Sequence, residues 1–251
     1  MSTSKQINKK ILILSDNAYL SSSFLSICEE LKLDLNEFHF ARSPKSNFEI
    51  ENNPIYKKHK IVNVKDGWKQ IVKDYRLVIS LHCKQIFPPE LIKNVRCINV
   101  HPGYNPYNRG WFPQVFSIIN KKPLGVTIHE IDEKLDHGKI IVRKKIDIKK
   151  SDTSGSLYKR ILNLELDLIR KNLTNILEGN YATRDPESDG NINLKKDFND
   201  LLEIDLSKTQ TIKETIDLLR ALTHEGYKNA YFIDEETGKK IYISLNLFDE
   251  N

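Results

Sequence analysis

The chain has 251 residues, 39% apolar and 29% charged, enough for one large domain with a small appendage and a core that needs no disulfide staples. Its formal net charge of +5 is spread over the chain (Lys57, Lys58 and Lys60; Lys121 and Lys122; Lys149 and Lys150; Lys239 and Lys240), which suits an anionic small substrate better than nucleic acid. Cys28, Cys83 and Cys97 form neither a disulfide framework nor a zinc motif, no apolar run is long enough to span a membrane, and the polar Met1–Lys10 segment lacks a signal peptide's apolar core, so a cytoplasmic protein with reduced thiols is expected.

The first half of the sequence alternates strand and helix. Ile11 to Leu14 reads as a short buried strand ending in the helix-start cluster Ser15-Asp16-Asn17. Leu20, Phe24, Ile27 and Leu31 then recur at helical spacing. Leu35 to Phe40 is expected as a second strand, residues 41–58 as a polar loop, and Ile61 to Val64 as a third strand. A short helix over Trp68 to Tyr75 leads to a fourth strand at Leu77 to Leu81. Pro88-Pro89 opens another helix, and Cys97 to Val100 forms a fifth strand. This alternation predicts an α/β fold with a mostly parallel sheet covered on both faces.

After a loop dense in Asn, Pro and Gly (Tyr104 to Trp111), a helix is expected over Pro113 to Asn120, then strands at Gly125–Ile131 and Lys139–Ile148. A long helix spans Ser154 to Glu178, its Leu157, Ile161, Leu164 and Leu168 forming one apolar stripe, with Gly179-Asn180 as its stop. Residues 180–197, which include Pro186 and Gly190, read as a linker between a first domain at 1–179 and a small C-terminal region at 198–251. That region holds a helix near Ile212 to Leu222 and a hairpin of Asn229–Ile233 and Lys240–Leu247, turning at Gly238.

Asn99 and His101 stand two apart at the end of the fifth strand, so their side chains point the same way. In open α/β sheets that edge is where ligands bind. An amide and an imidazole there suit acyl transfer to an amine. Asn, or a protonated His, can donate to the oxygen that gains charge, and a neutral His can take the amine's proton. A carboxylate is wanted to orient the imidazole; Asp136, in the turn Asp136-His137-Gly138, is the candidate and Asp132 its rival. Taken singly, each residue also has an ordinary structural reading, as a strand-end cap or a hairpin turn.

Together the residues carry more. Asn99-Val100-His101-Pro102-Gly103, Arg109-Gly110 and Asp136-His137-Gly138-Lys139-Ile140 resemble the signature of the folate-dependent formyltransferase superfamily. The resemblance implies a Rossmann-like catalytic domain, with the small helix and β-hairpin region appended. It also implies catalytic roles for Asn99, His101 and Asp136, and 10-formyltetrahydrofolate as co-substrate with no metal. The place after the first strand, Ser15-Asp16-Asn17-Ala18, has no glycine, unlike the phosphate loop of the glycinamide ribonucleotide branch. Residues 198–251 are too few and too balanced in charge for the basic barrel of the methionyl-tRNA branch.

The sugar N-formyltransferases are the branch the chain resembles best. Ser80 to Pro88 is similar to their loop after the fourth strand, and His101 to Gln114 to their active-site loop. Leu218–Thr223 with Tyr227–Phe232 is similar to their tail. By this resemblance Leu81, His82, Cys83, Lys84, Gln85, Ile86 and Gly138 meet the folate. Tyr104, Asn105, Arg109, Gly110 and Trp111 meet the acceptor, with aromatic faces for a base or sugar and Lys84 and Arg109 for a pyrophosphate. The implied acceptor is a dTDP-linked amino sugar, dTDP-4-amino-4,6-dideoxyglucose, destined for a surface polysaccharide, and the implied assembly is a homodimer. Another nucleotide-linked amino sugar, another small amine, and a non-catalytic folate or nucleotide-sugar binder are the alternatives.

Overall fold

The computed structural model describes residues 9–44, 46 and 59–250. Most of the loop expected over 41–58, and the first eight residues of the polar N-terminus, lie outside the described residues. The described chain forms two compact units, which interleave along the sequence.

The first unit comprises residues up to 101, 128–142 and 166–185. Its strands are β1 (Lys10–Ser15), β2 (Phe38–Arg42), β3 (Lys60–Ile61), β4 (Tyr75–Leu81) and β5 (Arg96–His101). Its helices are α1 (Ala18–Glu30), α2 (Val64–Asp74) and the single turn α3 (Pro89–Ile92). With β7 (Leu124–Glu130) and β8 (Ile140–Ile146), the strands make a seven-stranded sheet ordered β3-β2-β1-β4-β5-β7-β8. β1 runs parallel to β2 and β4, and β4 parallel to β5. Strands buried on both faces read as unbroken apolar runs, and Ile11 to Leu14 are all at most 1% exposed. Phe24 of α1 fills the space over β2, its ring edge-on to Phe38 and Phe40 at 6.2 Å. Along the carboxyl edge, Ser15 pairs with Leu81 and Leu81 with Val100. The residues that follow those three, Asp16, His82 and His101, therefore emerge in one row.

Two of the expected boundaries that move do so for a clear local reason. Asp34 accepts a hydrogen bond from the Asn36 amide and turns Leu35–Glu37 into one 3-10 turn, so β2 begins at Phe38. Asn63 caps α2 by accepting from the Lys65 amide at 3.0 Å, so Val64 starts a helix instead of ending a strand. Tyr75, expected in that helix, is the first residue of β4.

The second unit comprises 102–127, 143–165 and 186–250 among the described residues. It contains β6 (Arg109–Gly110), α4 (Pro113–Asn120), β9 (Ile192–Asn193), α6 (Lys195–Asn199), α7 (Ile212–Leu222), β10 (Tyr231–Ile233) and β11 (Lys240–Tyr242). The 25-residue helix α5 (Ser154–Glu178) runs from this unit into the first. α4 packs on α7, which a reciprocal Thr211–Glu214 capping box begins. β10 and β11 pair antiparallel as the expected hairpin, shorter than anticipated, with Gly238 at φ +66° in the turn.

Residues 180–197, expected as a linker, are pinned by backbone pairing instead. Ile140 and Arg184 exchange both backbone hydrogen bonds, at 2.8 and 3.0 Å. β9 pairs in parallel with β6. The Asn108 side-chain oxygen accepts from the carboxamides of Asn120, Asn191 and Asn193 at 2.7, 2.8 and 3.1 Å. Few apolar residues were needed because asparagines supply the contacts. The compact units therefore do not follow the linear division at 179 and 198.

Gly190 makes that docking possible. It lies at φ +61°, and a Cβ there would stand 1.9 Å from the Pro106 carbonyl oxygen. Gly190→Ala should cost about 1–3 kcal/mol, lower the melting temperature by about 2–4 °C per kcal/mol, and speed proteolytic cleavage between 180 and 197. Unchanged cleavage would show that the segment does not depend on this close approach.

Candidate active site at the carboxyl edge of the sheet

Asn99 and His101 project from β5 toward the turn between β7 and β8, as strand alternation requires. That turn brings back Asp136. The Asn99 Nδ2 donates to Asp136 Oδ1 at 3.0 Å, and His101 Nδ1 stands 3.5 Å from Asp136 Oδ2. The His101 and Asp136 side chains are only 4% and 11% exposed, so their interaction is screened little by water. Asp136 adopts φ +47°, a left-handed conformation that Asp tolerates better than most residues. Gly138 lets the turn lie flat, since a Cβ there would meet the Glu130 carbonyl oxygen at 1.9 Å. The rival carboxylate is turned elsewhere: Asp132 accepts from the Lys134 amide at 3.0 Å and pairs with His137 Nδ1 at 2.9 Å.

The structure adds a fourth member that the sequence reading missed. His129 of β7 is 1% exposed, with Nε2 3.4 Å from Asn99 Nδ2 and 3.7 Å from Asp136 Oδ1. Its Nδ1 is 2.7 Å from the Glu130 carbonyl oxygen. A carbonyl only accepts, so Nδ1 carries a proton, and in the tautomer that leaves Nε2 bare, Nε2 is an acceptor. Asn99 thus faces two acceptors, the Asp136 carboxylate and His129 Nε2. Both require its NH2 group, so the carboxamide has one orientation. The available signal was weak: an imidazole in the predicted strand Val126-Thr127-Ile128-His129-Glu130-Ile131.

The expected folate segment, Leu81 to Ile86, leaves β4 in the same unit. Leu81 is buried and His82 turns at φ +56°. Lys84 donates its backbone amide to the Asp16 carboxylate at 2.8 Å. Gln85 is engaged inward: its Oε1 accepts from the Val64 amide at 3.0 Å and its Nε2 donates to the Val62 carbonyl at 2.9 Å. It therefore clips the segment to the start of α2. Burial, and then the Asp16 charge, push the Cys83 thiol up to about 12, so it is no nucleophile at neutral pH. Ile86 is 81% exposed and presents an apolar surface to solvent.

The expected acceptor residues all lie in the second unit. One face of the Tyr104 ring is covered by the Arg143 guanidinium, 4.3 Å from its centroid. Arg143 also donates to the Asn105 carbonyl and pairs with Glu187. Asn105 is fully buried, and its amide donates to Thr127 Oγ1 at 3.0 Å. Arg109 and Trp111 donate their backbone amides to Asn191 and Asn193 at 3.0 and 2.8 Å, framing Gly110. The Lys195 ammonium lies 5.7 Å from the Trp111 ring centroid. Among the described residues, no group of His, Cys, Asp and Glu could hold a metal ion, and no helix is long and apolar enough to cross a membrane.

Comparison with known proteins adds independent findings. Residues 43–173 match the Formyl transferase family, and residues 197–248 match the N-formyltransferase dimerization C-terminal domain. The chain is 43% identical over 242 residues to the dTDP-4-amino-4,6-dideoxyglucose formyltransferase of Mycobacterium tuberculosis, covering 96% of this chain and 97% of that protein. Its fold superposes on a sugar N-formyltransferase from a Shewanella species with TM-score 0.89 at 40% identity, covering 97% and 99% of the two chains. A 4-N formyltransferase from Francisella tularensis gives TM-score 0.88 at 39% identity, covering 97% and 100%.

The His129 tautomer is directly observable. A long-range proton–nitrogen correlation spectrum at neutral pH should show its Nδ1 protonated and its Nε2 bare. The reverse pattern would remove the argument for the Asn99 orientation.

Proposed function

We propose that this chain, which belongs to the formyl transferase family, transfers the formyl group of 10-formyltetrahydrofolate to the amino group of a dTDP-linked sugar, dTDP-4-amino-4,6-dideoxyglucose. The observation that carries this reading is the meeting of Asn99, His101 and Asp136 at one sheet edge, with the amide bonded to the carboxylate at 3.0 Å. Identity of 43% to an enzyme named for that sugar, over nearly the whole of both chains, supports the choice of acceptor.

The chemistry follows from these groups. The sugar amine attacks the formyl carbon, the carbonyl oxygen becomes an oxyanion, and collapse of that adduct breaks the bond between the formyl carbon and the folate nitrogen, which leaves as tetrahydrofolate carrying the proton the amine gives up. Asn99 and His101 are the donors at that oxygen. Of the two Asn99 N–H groups, the one facing His129 across 3.4 Å is the less firmly held and is the one redirected to the oxyanion. Asp136 orients the His101 ring through Nδ1 and offsets the positive charge the ring acquires as it handles the proton, so exchange is assigned to Nε2. No side-chain nucleophile is needed, because the amine itself attacks. The Leu81–Ile86 segment with Gly138 is placed against the folate, and Tyr104, Asn105, Arg109, Gly110 and Trp111 against the acceptor. Arg143 covers one face of Tyr104, so any stacking there uses the opposite face.

Mass spectrometry tests the reaction. Mixed with both substrates, the protein should yield the N-formylated nucleotide sugar, 28 daltons heavier than the amine, a difference equal to roughly one CO unit by the acyl-transfer stoichiometry. His101→Ala should lower kcat by about 10²–10⁴ with an unchanged circular dichroism spectrum. Equal turnover by the variant would end the assigned mechanism, and turnover only with an amine that is not a dTDP-4-amino sugar would replace the acceptor.

The assembly reading is a homodimer built through the C-terminal region. Its Leu206, Ile212 and Phe248 are 67%, 80% and 89% exposed in the single chain, an apolar display that pairing would cover. Sedimentation equilibrium should give twice the chain mass, and Ile212→Asp should shift it toward one; a wild type that stays monomeric at micromolar concentration would refute the dimer.

A further inference from the structure

Asp16 follows β1 and is 4% exposed. A buried carboxylate needs its oxygens satisfied, and this one has two donors on each. Oδ1 accepts from the Ser43 amide at 2.8 Å and the Ser46 hydroxyl at 2.7 Å. Oδ2 accepts from the Ser43 hydroxyl at 2.6 Å and the Lys84 amide at 2.8 Å. Ser43 and Ser46 lie after β2, and Lys84 lies after β4. Since β1 sits between those strands, one side chain ties the segments on both sides of it together.

The position has a second meaning. β2 and β3 lie on one side of β1, and the strands from β4 onward on the other, so the strand order reverses at β1. In a doubly wound sheet such a switch point is the crevice where a ligand phosphate rests on glycine-rich backbone amides. Here the turn reads Ser15-Asp16-Asn17-Ala18, without glycine, and Asn17 caps α1 by accepting from the Leu20 amide at 3.0 Å. In that crevice stands a carboxylate, itself an anion, already surrounded by four donors from Ser43, Ser46 and Lys84.

We infer that Asp16 is a positioning residue for the formyl donor: a resident anion that closes the phosphate crevice and holds Leu81–Ile86 in the shape that receives the folate. This rests on the donor placement given under Proposed function. Asp16 itself exchanges no proton and forms no bond to substrate. Its effect passes through the Lys84 amide, so it should appear in donor affinity rather than in acceptor affinity.

Asp16→Ala and Asp16→Asn in the full chain test this, with folinic acid as a binding probe and formate as a stand-in for the lost carboxylate. In Asp16→Ala the folinic acid Kd and the KM for 10-formyltetrahydrofolate should each rise about tenfold, the scale of one buried amide left unsatisfied. The KM for the amino sugar should stay within about twofold, below the scale of a lost hydrogen bond. Added formate should restore donor affinity to Asp16→Ala and leave the wild type unchanged. Should the alanine variant not fold, Asp16→Asn, which keeps shape and loses charge, should show the same split at smaller size and no formate rescue. A lower melting temperature with an unchanged folinic acid Kd, or equal rises in both KM values, would make Asp16 a purely structural strap. A wild type that binds folinic acid but formylates no amino sugar would overturn the acceptor and leave Asp16 standing; one that does not bind folinic acid would overturn both.

Discussion

A single carboxylate, that of Asp136, organises the polar side chains at the sheet edge. It accepts from Asn99 at 3.0 Å and faces His101 and His129 at 3.5 and 3.7 Å. A negative charge in a largely buried place is costly unless such partners surround it, and the same partners are useless unless the charge orients them. The left-handed turn at Asp136 and the close approach at Gly138 serve that one placement. His129 joins it through Nε2, its Nδ1 being committed to a backbone carbonyl. The Asn99 amide is thereby oriented before any ligand arrives, so in the proposed reaction it would need no reorganisation to act as a donor.

A second buried carboxylate works at the same edge. Asp16 joins the segments after β2 and β4, and Gln85 clips the latter to the start of α2. The Leu81–Ile86 segment is thus held by internal hydrogen bonds at Lys84 and Gln85, while Ile86 remains exposed. The polar side chains gather at the carboxyl ends of the strands, the edge where open α/β sheets generally bind ligands. It departs from the nucleotide-binding version because its first turn holds an acid where glycines would cradle a phosphate.

Much of this was legible before any coordinates. Ile11 to Leu14 is apolar throughout and Leu77 to Leu81 is apolar but for Ser80, and both prove to be buried parallel strands. The helices at Pro113–Asn120, Ser154–Glu178 and Ile212–Leu222 have the predicted bounds, since a proline start, an apolar stripe and a capping box are local signals. Asn99 and His101 were legible as a pair because strand alternation is local too. Leu35 to Glu37 misled because an Asx-type cap at Asp34 outweighed strand propensity, and Val64 because Asn63 had begun a helix. Residues 180–197 misled because asparagine side chains and short backbone pairings dock them without the apolar residues that usually announce structure.

What the sequence determined by itself is the set of local segments and the chemical types at the end of β5, because helix and strand periods, caps and turns depend on near neighbours. It also put Asp136 forward as the carboxylate, with Asp132 its rival in the same turn. Only the tertiary structure set Asp136 against Asn99 while turning Asp132 to His137, recruited His129, and set Asp16 against Lys84. The Asn99–His129, Asn99–Asp136 and Asp16–Lys84 pairings join residues 30, 37 and 68 positions apart, and sequence periodicity holds no information about which distant strand end will lie beside another. Register between β1, β4 and β5 decides that, through hydrogen bonds that any side chains would allow.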